Sequence, residues 1–294
     1  MSSLRVFYGH HKCATGWITE NIREMTFHLG QDHKIVHLPK HFAAHGSLDG
    51  FVEATGADVL FYTNATMEQA RTLRPHRGVH VVRDPRDILV SAYFSHLHSH
   101  PTDDWSVLAT HRQRLRTVSK AEGLFAEMDF SRPQFESMKA WDYDQPHVLE
   151  MQMETLTADP LAGFTSVARF FGWLDADEVP DQGLNGLLRV GQLRLNRLNH
   201  RGRRFMPGNW PMFPVPKRRL ETMPARELAR IVEAKSFRRL SGGRSKGQEN
   251  VQSHYRKGVP GDWKNHFTAD HKRVFKERHG DLLVRLGYEI DHSW

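Results

Sequence analysis

A short apolar run that ends at a glycine and gives way to a helix constrains this chain more than any other feature. Leu4-Arg5-Val6-Phe7-Tyr8 reads as a buried strand and residues 9–15 as a loop. From Gly16 onward Trp17, Ile18, Ile22, Met25 and Leu29 recur near the helical period. Similar strand-like runs follow at 34–38, 58–63, 78–83 and 147–154. The pattern predicts helices over 87–99, 104–129 and 132–143, and another opening at Asp159-Pro160, where proline suits a first turn. Alternating strands and helices imply an α/β fold with a central parallel β-sheet flanked by helices. Such sheets bind ligands at the carboxyl ends of their strands, so the loop after the first strand is the place to look for chemistry.

With 294 residues, 39% of them hydrophobic, the chain is long enough to bury one sizeable core. The expectation is a single domain over 1–294, with an insertion or cap at about 183–224 that holds nine Arg or Lys and five Pro. A formal net charge of +7 favours anionic partners, against the plainer reading of a solvated basic surface. Cys13 is the single cysteine, so no disulfide forms within the chain. No apolar run approaches the ~20 residues of a spanning helix, and no leader-like segment precedes the first strand. A reducing cytoplasm is the expected location.

Three segments carry chemistry. In His11-Lys12-Cys13-Ala14-Thr15-Gly16-Trp17, backbone N–H groups at a helix start suit an anion, Lys12 adds a point charge and Thr15 a hydroxyl. The Walker A pattern is absent, which removes a kinase reading. In the second segment Arg83 ends a strand and Ser91 follows eight residues on, in the next helix. That spacing can put a guanidinium and a hydroxyl on one phosphate. Arg86 and Asp87 suit structural ion pairs or caps. The third segment runs Arg256-Lys257-Gly258-Val259-Pro260-Gly261-Asp262-Trp263-Lys264-Asn265-His266-Phe267-Thr268. Its cations donate charge-assisted bonds, and Gly258 lets the backbone approach a ligand closely.

Together these residues resemble the cytosolic sulfotransferases that use 3′-phosphoadenosine 5′-phosphosulfate (PAPS). The third segment matches every fixed position of that family's R-K-G-x-x-G-D-W-K-N-x-F-T. The first resembles its K-S-G-T-T-W loop: Lys12, Thr15 and Trp17 match, while Cys13, Ala14 and Gly16 stand for Ser, Gly and Thr. A backbone N–H or a water then replaces the hydroxyl lost at Gly16. Arg83 and Ser91 resemble the family's 3′-phosphate site, and Ser236-Phe237 its T-S-F segment, with Lys235 in place of the Thr. The resemblance implies a P-loop-like donor site. Its residues are His11, Lys12, Cys13, Ala14, Thr15, Gly16, Trp17, Arg83, Ser91, Met153, Ser236, Phe237, Arg256, Lys257 and Gly258. It also implies 3′-phosphoadenosine 5′-phosphate (PAP) as product, no metal, and sulfuryl transfer to a hydroxyl of a small-molecule acceptor, a phenol or alcohol. Phe42, Phe94, Trp105, Trp141, Phe205, Trp210 and Phe213 are candidate walls for a partly apolar acceptor pocket, each equally at home in a core. A homodimer is left open.

Two departures stand out. Met153-Glu154-Thr155 occupies the place of a Tyr-Glu-Asp that touches adenine in the family, so Met153 would pack there without a phenol hydroxyl. Tyr62-Thr63-Asn64 occupies the place of Lys-Thr-His, and Asn64 cannot act as a base near neutral pH. Sulfuryl transfer needs an in-line acceptor, a base for its proton, and cations on the departing phosphate oxygens. Lys12 supplies the cation. His11 and His41 are the candidate bases carried forward, with His37, His96 and Glu20 as further candidates. Among 20 histidines, each also reads as a surface or satisfied core residue. His10-His11 and His96-x-His98-x-His100 make no metal site, because adjacent and alternate helical residues face different ways. Two rival readings remain. Arg194, Arg197, Arg201, Arg203 and Arg204 suit an acidic glycan or a carrier-tethered acceptor, with activity that falls steeply with salt. Asn64 keeps open a nucleotide-binding protein impaired in catalysis. Nucleic acid is not expected, since no recognition signature of the usual modules is present.

Overall fold

A computed structural model of the chain describes residues 4–103, 105–175, 184–202 and 217–294. In chain order the elements begin β1 (Leu4–Tyr8), α1 (Thr15–Leu29), β2 (His33–Val36), α2 (Leu48–Thr55), β3 (Val59–Tyr62), α3 (Met67–Ala70) and β4 (His76–Val82). They continue with α4 (Pro85–Phe94), α5 (Ser106–Thr117), α6 (Lys120–Phe130), α7 (Arg132–Ala140), β5 (Val148–Gln152), α8 (Met153–Ala158) and α9 (Pro160–Phe171). Last come α10 (Leu184–Gly202), α11 (Ala225–Glu233), α12 (Phe237–Leu240) and α13 (Ala269–Arg285). No described helix is long and apolar enough to cross a membrane.

The chain forms two compact units. The first comprises Met1–Gly9, Ala14–Val81 and Tyr143–Lys235. It holds the five-stranded parallel sheet, in the order β2-β3-β1-β4-β5. β1 pairs with β3 on one side and β4 on the other. From β1 the chain leaves toward β2, and from β4 toward β5, so the strand order reverses between β1 and β4. Open sheets bind ligands at the carboxyl ends beside such a reversal. The residues that follow those two ends are the loop from Gly9 and Arg83.

The core of this unit packs Phe7, Val59, Phe61, Val79 and Val81 of the sheet with Ile18, Ile22, Met25 and Leu29 of α1 and Phe164, Val167 and Phe171 of α9. Each such side chain contributes about 1.5–3 kcal/mol by leaving water. α1 stops at Gly30, whose φ of 67° is easy only for glycine. Within the stretch 183–224, residues Leu184–Gly202 are helical, and α10 packs along α1. Asn196 is buried there and donates to the carbonyls of His28 and Arg218 at 2.9 and 2.8 Å. Arg203, Arg204, Phe205, Gly208, Trp210 and Phe213 lie outside the described residues.

The second unit comprises His10–Cys13, Val82–Asp142 and Ser236–Trp294. The helix expected over 104–129 is broken into α5 and α6, because Ser119 and Glu122 form a capping box that starts α6 afresh. The helix expected over 87–99 starts at Pro85, capped by Asp84, whose side chain accepts from the Arg86 N–H at 2.9 Å. Its last turn, Ser95–Ser99, widens into a π-helix that carries His96. In the first unit the strand expected to reach 154 ends at Gln152, and Met153 opens α8 without a turn residue, a boundary that apolar periodicity does not mark.

Candidate functional site

The loop after β1 enters α1 through two left-handed residues that are not glycine, Lys12 (φ 65°) and Ala14 (φ 55°). Each such conformation costs roughly 1–2 kcal/mol. Ala14 stands where the resemblance expects Gly, and its backbone shows why Gly is suited there. In the first unit, α1 begins with no acidic residue in its first turn. The N–H groups of Thr15, Gly16 and Trp17 have no acceptor inside the helix and form a positive end. Gly16 is exposed, and a side chain there would meet nothing within 4 Å. The Trp17 indole donates to the Lys235 carbonyl at 2.9 Å, which fixes this helix start against the residues after α11.

The second unit collects the cations. Arg83 donates through Nη1 to the Lys12 carbonyl at 3.0 Å. Gln134 donates to the His11 carbonyl at 2.7 Å, and the buried Cys13 thiol lies 3.9 Å from the same oxygen. Burial pushes the Lys12 ammonium down to about 7, helped by Arg83 and Arg256 and opposed by Glu127. The Nε of Arg83 is buried with no hydrogen-bond partner among the described residues. A buried guanidinium donor beside a lysine whose ammonium is pushed down suits an anion. Ser91 is half-buried on α4, and Ser236 is the N-cap of α12 with no side-chain cap bond.

Arg256 and Lys257 divide the two oxygens of Asp262, each at 2.5 Å. Burial alone pushes Asp262 up, but bonds from Lys257, Asn265 and Arg256 outweigh it and hold the carboxyl well below its usual range. The Arg256 guanidinium also lies 4.6 Å over the Phe94 ring. Asp87 pins the same loop by accepting from the N–H groups of Gly261 and Trp263 at 2.6 and 2.9 Å. Arg86 pairs with Asp84 at 2.8 Å and lies over the rings of Trp263 and Trp294 at 4.0 and 4.5 Å. Gly258 has φ 70°, and a Cβ on it would fall 2.5 Å from the Phe237 ring. Glycine is therefore required twice over, and Phe237 is held against the Arg256-Lys257-Gly258 turn.

The histidines separate clearly. In the first unit His41 is exposed on the turn Pro39–His41. Its Nδ1 accepts the His37 N–H at 3.0 Å, so the neutral ring carries its proton on Nε2 and offers no free lone pair. His37 itself bonds Thr63 at 2.5 Å. Asn64 is exposed after β3. In the second unit His11 has its Nε2 3.1 Å from Nε2 of His96 and its ring edge-on to His100 and Trp105. Of the candidate pocket walls, Phe42 and Trp141 are packed in the interior, whereas Phe94 and Trp105 are partly exposed. Met153 is buried in the core of the first unit. Glu127 and His111 were not legible as site residues, since helical periodicity marks a buried position but not its charge, and His254 lies in an irregular segment with no period at all.

No family model and no curated protein matches the sequence. Solved structures do. A mouse sulfotransferase, SULT7A1 complexed with PAP, superposes with TM-score 0.54 at 15% identity, over 95% of this chain and 84% of that one. The fold is that of the cytosolic sulfotransferases. A retinol dehydratase in complex with androsterone and the inactive cofactor PAP aligns at TM-score 0.44 and 14% identity, over 95% of this chain and 80% of that one. On the sulfotransferase fold, Lys12 follows the first strand of the sheet and Arg83 the fourth, the two strands that flank its reversal.

Proposed function

We propose that this chain transfers the sulfuryl group of PAPS to a hydroxyl of a small-molecule acceptor, a phenol or alcohol, and releases PAP. The observation that carries the reading is the cation set of the second unit: Lys12, Arg83 with its orphaned Nε, Arg256 and Lys257. Arg83, Ser91, Arg256, Lys257 and Gly258 hold the donor's phosphates, and Ser236 and Phe237 lie beside the nucleotide. His11, Lys12 and Cys13 meet the phosphosulfate. Ala14, Thr15, Gly16 and Trp17 continue that loop into the positive start of α1, where Gly16 offers its N–H in place of a hydroxyl. Met153 stays in the assignment on the resemblance alone. Lys12 stabilises the charge that builds on the bridging oxygen as the S–O bond breaks. No metal is needed for that step, and the proposed location is cytoplasmic.

An acidic-glycan acceptor gains less support. Arg194 is engaged by Glu227 at 2.9 Å and Arg197 by Glu24. The direct test incubates the protein with radiolabelled PAPS and a panel of phenols, aliphatic alcohols and sulfated glycans, at low and high salt. Transfer to a phenol or alcohol with little salt dependence supports the reading. Transfer to glycans alone would replace the acceptor, and no transfer to any would leave a nucleotide-binding protein.

Gly258→Ala is a local test of the phosphate loop. Strain at positive φ and the clash with Phe237 together cost on the order of 1–2 kcal/mol or more. PAP affinity is expected to fall about tenfold or more by calorimetry. Unchanged affinity would remove Gly258 from the site.

A further inference from the structure

We propose that Glu127 and His96 make His11 the general base, so that the acceptor's proton leaves along a carboxylate–histidine–histidine relay. The inference rests on the sulfuryl-transfer reading and deepens it. Glu127 is fully buried on α6. Its carboxyl accepts from His96 Nδ1 at 3.0 and 3.1 Å, from His111 Nε2 at 2.9 Å and from the Ser131 hydroxyl at 2.7 Å. Burial by itself pushes Glu127 up, but the bonds from His111, His96 and Ser131 outweigh it, so the group is a carboxylate.

That charge fixes two ring tautomers in turn. A carboxylate only accepts, so His96 carries its proton on Nδ1 and, when neutral, presents a lone pair at Nε2. His11 Nε2 lies 3.1 Å away, with the two ring planes within 11° of parallel and their centroids 5.2 Å apart, as an in-plane N–H···N contact requires. One proton must sit between the two nitrogens, and His11 provides it. His11 is thereby the Nε2–H tautomer, and its Nδ1 is left as a proton acceptor. That atom has no hydrogen-bond partner among the described residues. His11 directly precedes Lys12, the cation assigned to the breaking S–O bond.

The relay also answers an electrostatic difficulty. Burial, then Lys12, His96, His100 and His254, hold His11 well below the usual histidine range. Arg112, which donates to the carbonyls of His96 and His100 at 2.5 Å each, and Arg83 and Arg256 near Lys12 add to the positive surroundings. A proton stranded on His11 is unfavourable there. In the step, the acceptor oxygen bonds to sulfur as the bond to the bridging phosphate oxygen breaks, and PAP keeps that electron pair. The acceptor's proton moves to His11 Nδ1, and the His11 Nε2 proton moves to His96 Nε2. His11 ends neutral, and His96 ends as an imidazolium against Glu127. His11 is the catalytic residue, whereas Glu127, His111 and Ser131 are positioning residues.

The test compares wild type, His11→Ala and Glu127→Gln on two acceptors, an alkyl phenol with pKa ~10 and a nitrophenol that is ionised at the assay pH. PAP affinity and bound metal are measured on the same samples. Glutamine keeps the shape and one acceptor of Glu127, and the melting temperature of each variant is measured in parallel so that lost folding is told from lost catalysis. General-base assistance is worth about 10²–10⁴-fold. Glu127→Gln is expected to lose about 100-fold or more on the alkyl phenol but only a few-fold on the nitrophenol, which has no proton to give up. His11→Ala, which also removes a contact to the phosphosulfate, should lose on both but about 100-fold more on the alkyl phenol. PAP affinity should stay within about twofold in Glu127→Gln, since that residue touches no phosphate in the assignment.

Equal losses on both acceptors, or no loss on either, would overturn the relay. So would a stoichiometric metal, because His96, His111 and Glu127 bring ligand atoms within 4.8 Å of one another and a bound ion would displace the Nδ1 proton of His96. If wild type transfers neither to these two phenols nor to any other acceptor of the panel, the sulfuryl-transfer reading fails separately. Nitrogen NMR of the histidine rings then decides the relay: Nε2–H on His11 with Nδ1–H on His96 supports it, and any other pair of tautomers overturns it.

Discussion

Replacing Lys12 by alanine is expected to lower turnover by about 10²–10³-fold while PAP affinity changes by less than about tenfold. The asymmetry follows from the lysine's setting. In the free protein burial and the neighbouring Arg83 and Arg256 push its ammonium down to about 7. Its charge is therefore poorly supported until an anion arrives, and it is supported best when charge builds on the departing oxygen. Binding of the nucleotide above neutral pH should accordingly take up a proton. The backbone needs no new strain, because alanine at φ 65° is no worse placed than lysine. Single-turnover kinetics alongside PAP titration make the comparison. Equal losses in rate and affinity would contradict a role confined to the transition state.

Arg256→Ala should produce the opposite split, a loss of PAP affinity of about 10–150-fold, the worth of a charge-assisted contact of ~1.5–3 kcal/mol. In the free protein this guanidinium is held by Asp262 and Glu249 and lies over Phe94. Lys257 keeps Asp262 paired in the variant, so the loop retains one of its two cations. A melting temperature measured in parallel separates lost binding from lost folding. Affinity equal to wild type in a folded variant would remove Arg256 from the phosphate site.

The fold was legible because most of the sheet strands carry a short apolar run, such as Val59–Tyr62, and the helices between them keep an apolar period. Both patterns survive single-residue departures such as Cys13 and Gly16. The Arg256–Thr268 segment was legible for a different reason. Two cations, a Gly at positive φ and an Asp that pairs with both cations form a self-contained turn, so their spacing in sequence is their arrangement in space. Where sequence reading weakened, the partners were far apart along the chain. Glu127 reaches His96, 31 residues away, and His11 reaches His96 across 85 residues. No local period encodes such contacts. The same holds for His41, where the turn that exposes it and the His37 N–H that occupies its ring nitrogen follow from backbone geometry. Met153 illustrates the converse. Its position after a strand was readable, yet its place in the core of the first unit depends on α8 starting at that residue.

The central claim is that the cations of the second unit form a site for a 3′-phosphorylated adenine nucleotide. Calorimetric titration with PAP, set against AMP under identical salt, tests it most directly. The account predicts PAP binding on the order of micromolar and AMP binding at least about 100-fold weaker, because removing the 3′-phosphate leaves Arg83 and Ser91 without their anion. Equal affinity for the two nucleotides, or binding of neither, would contradict it.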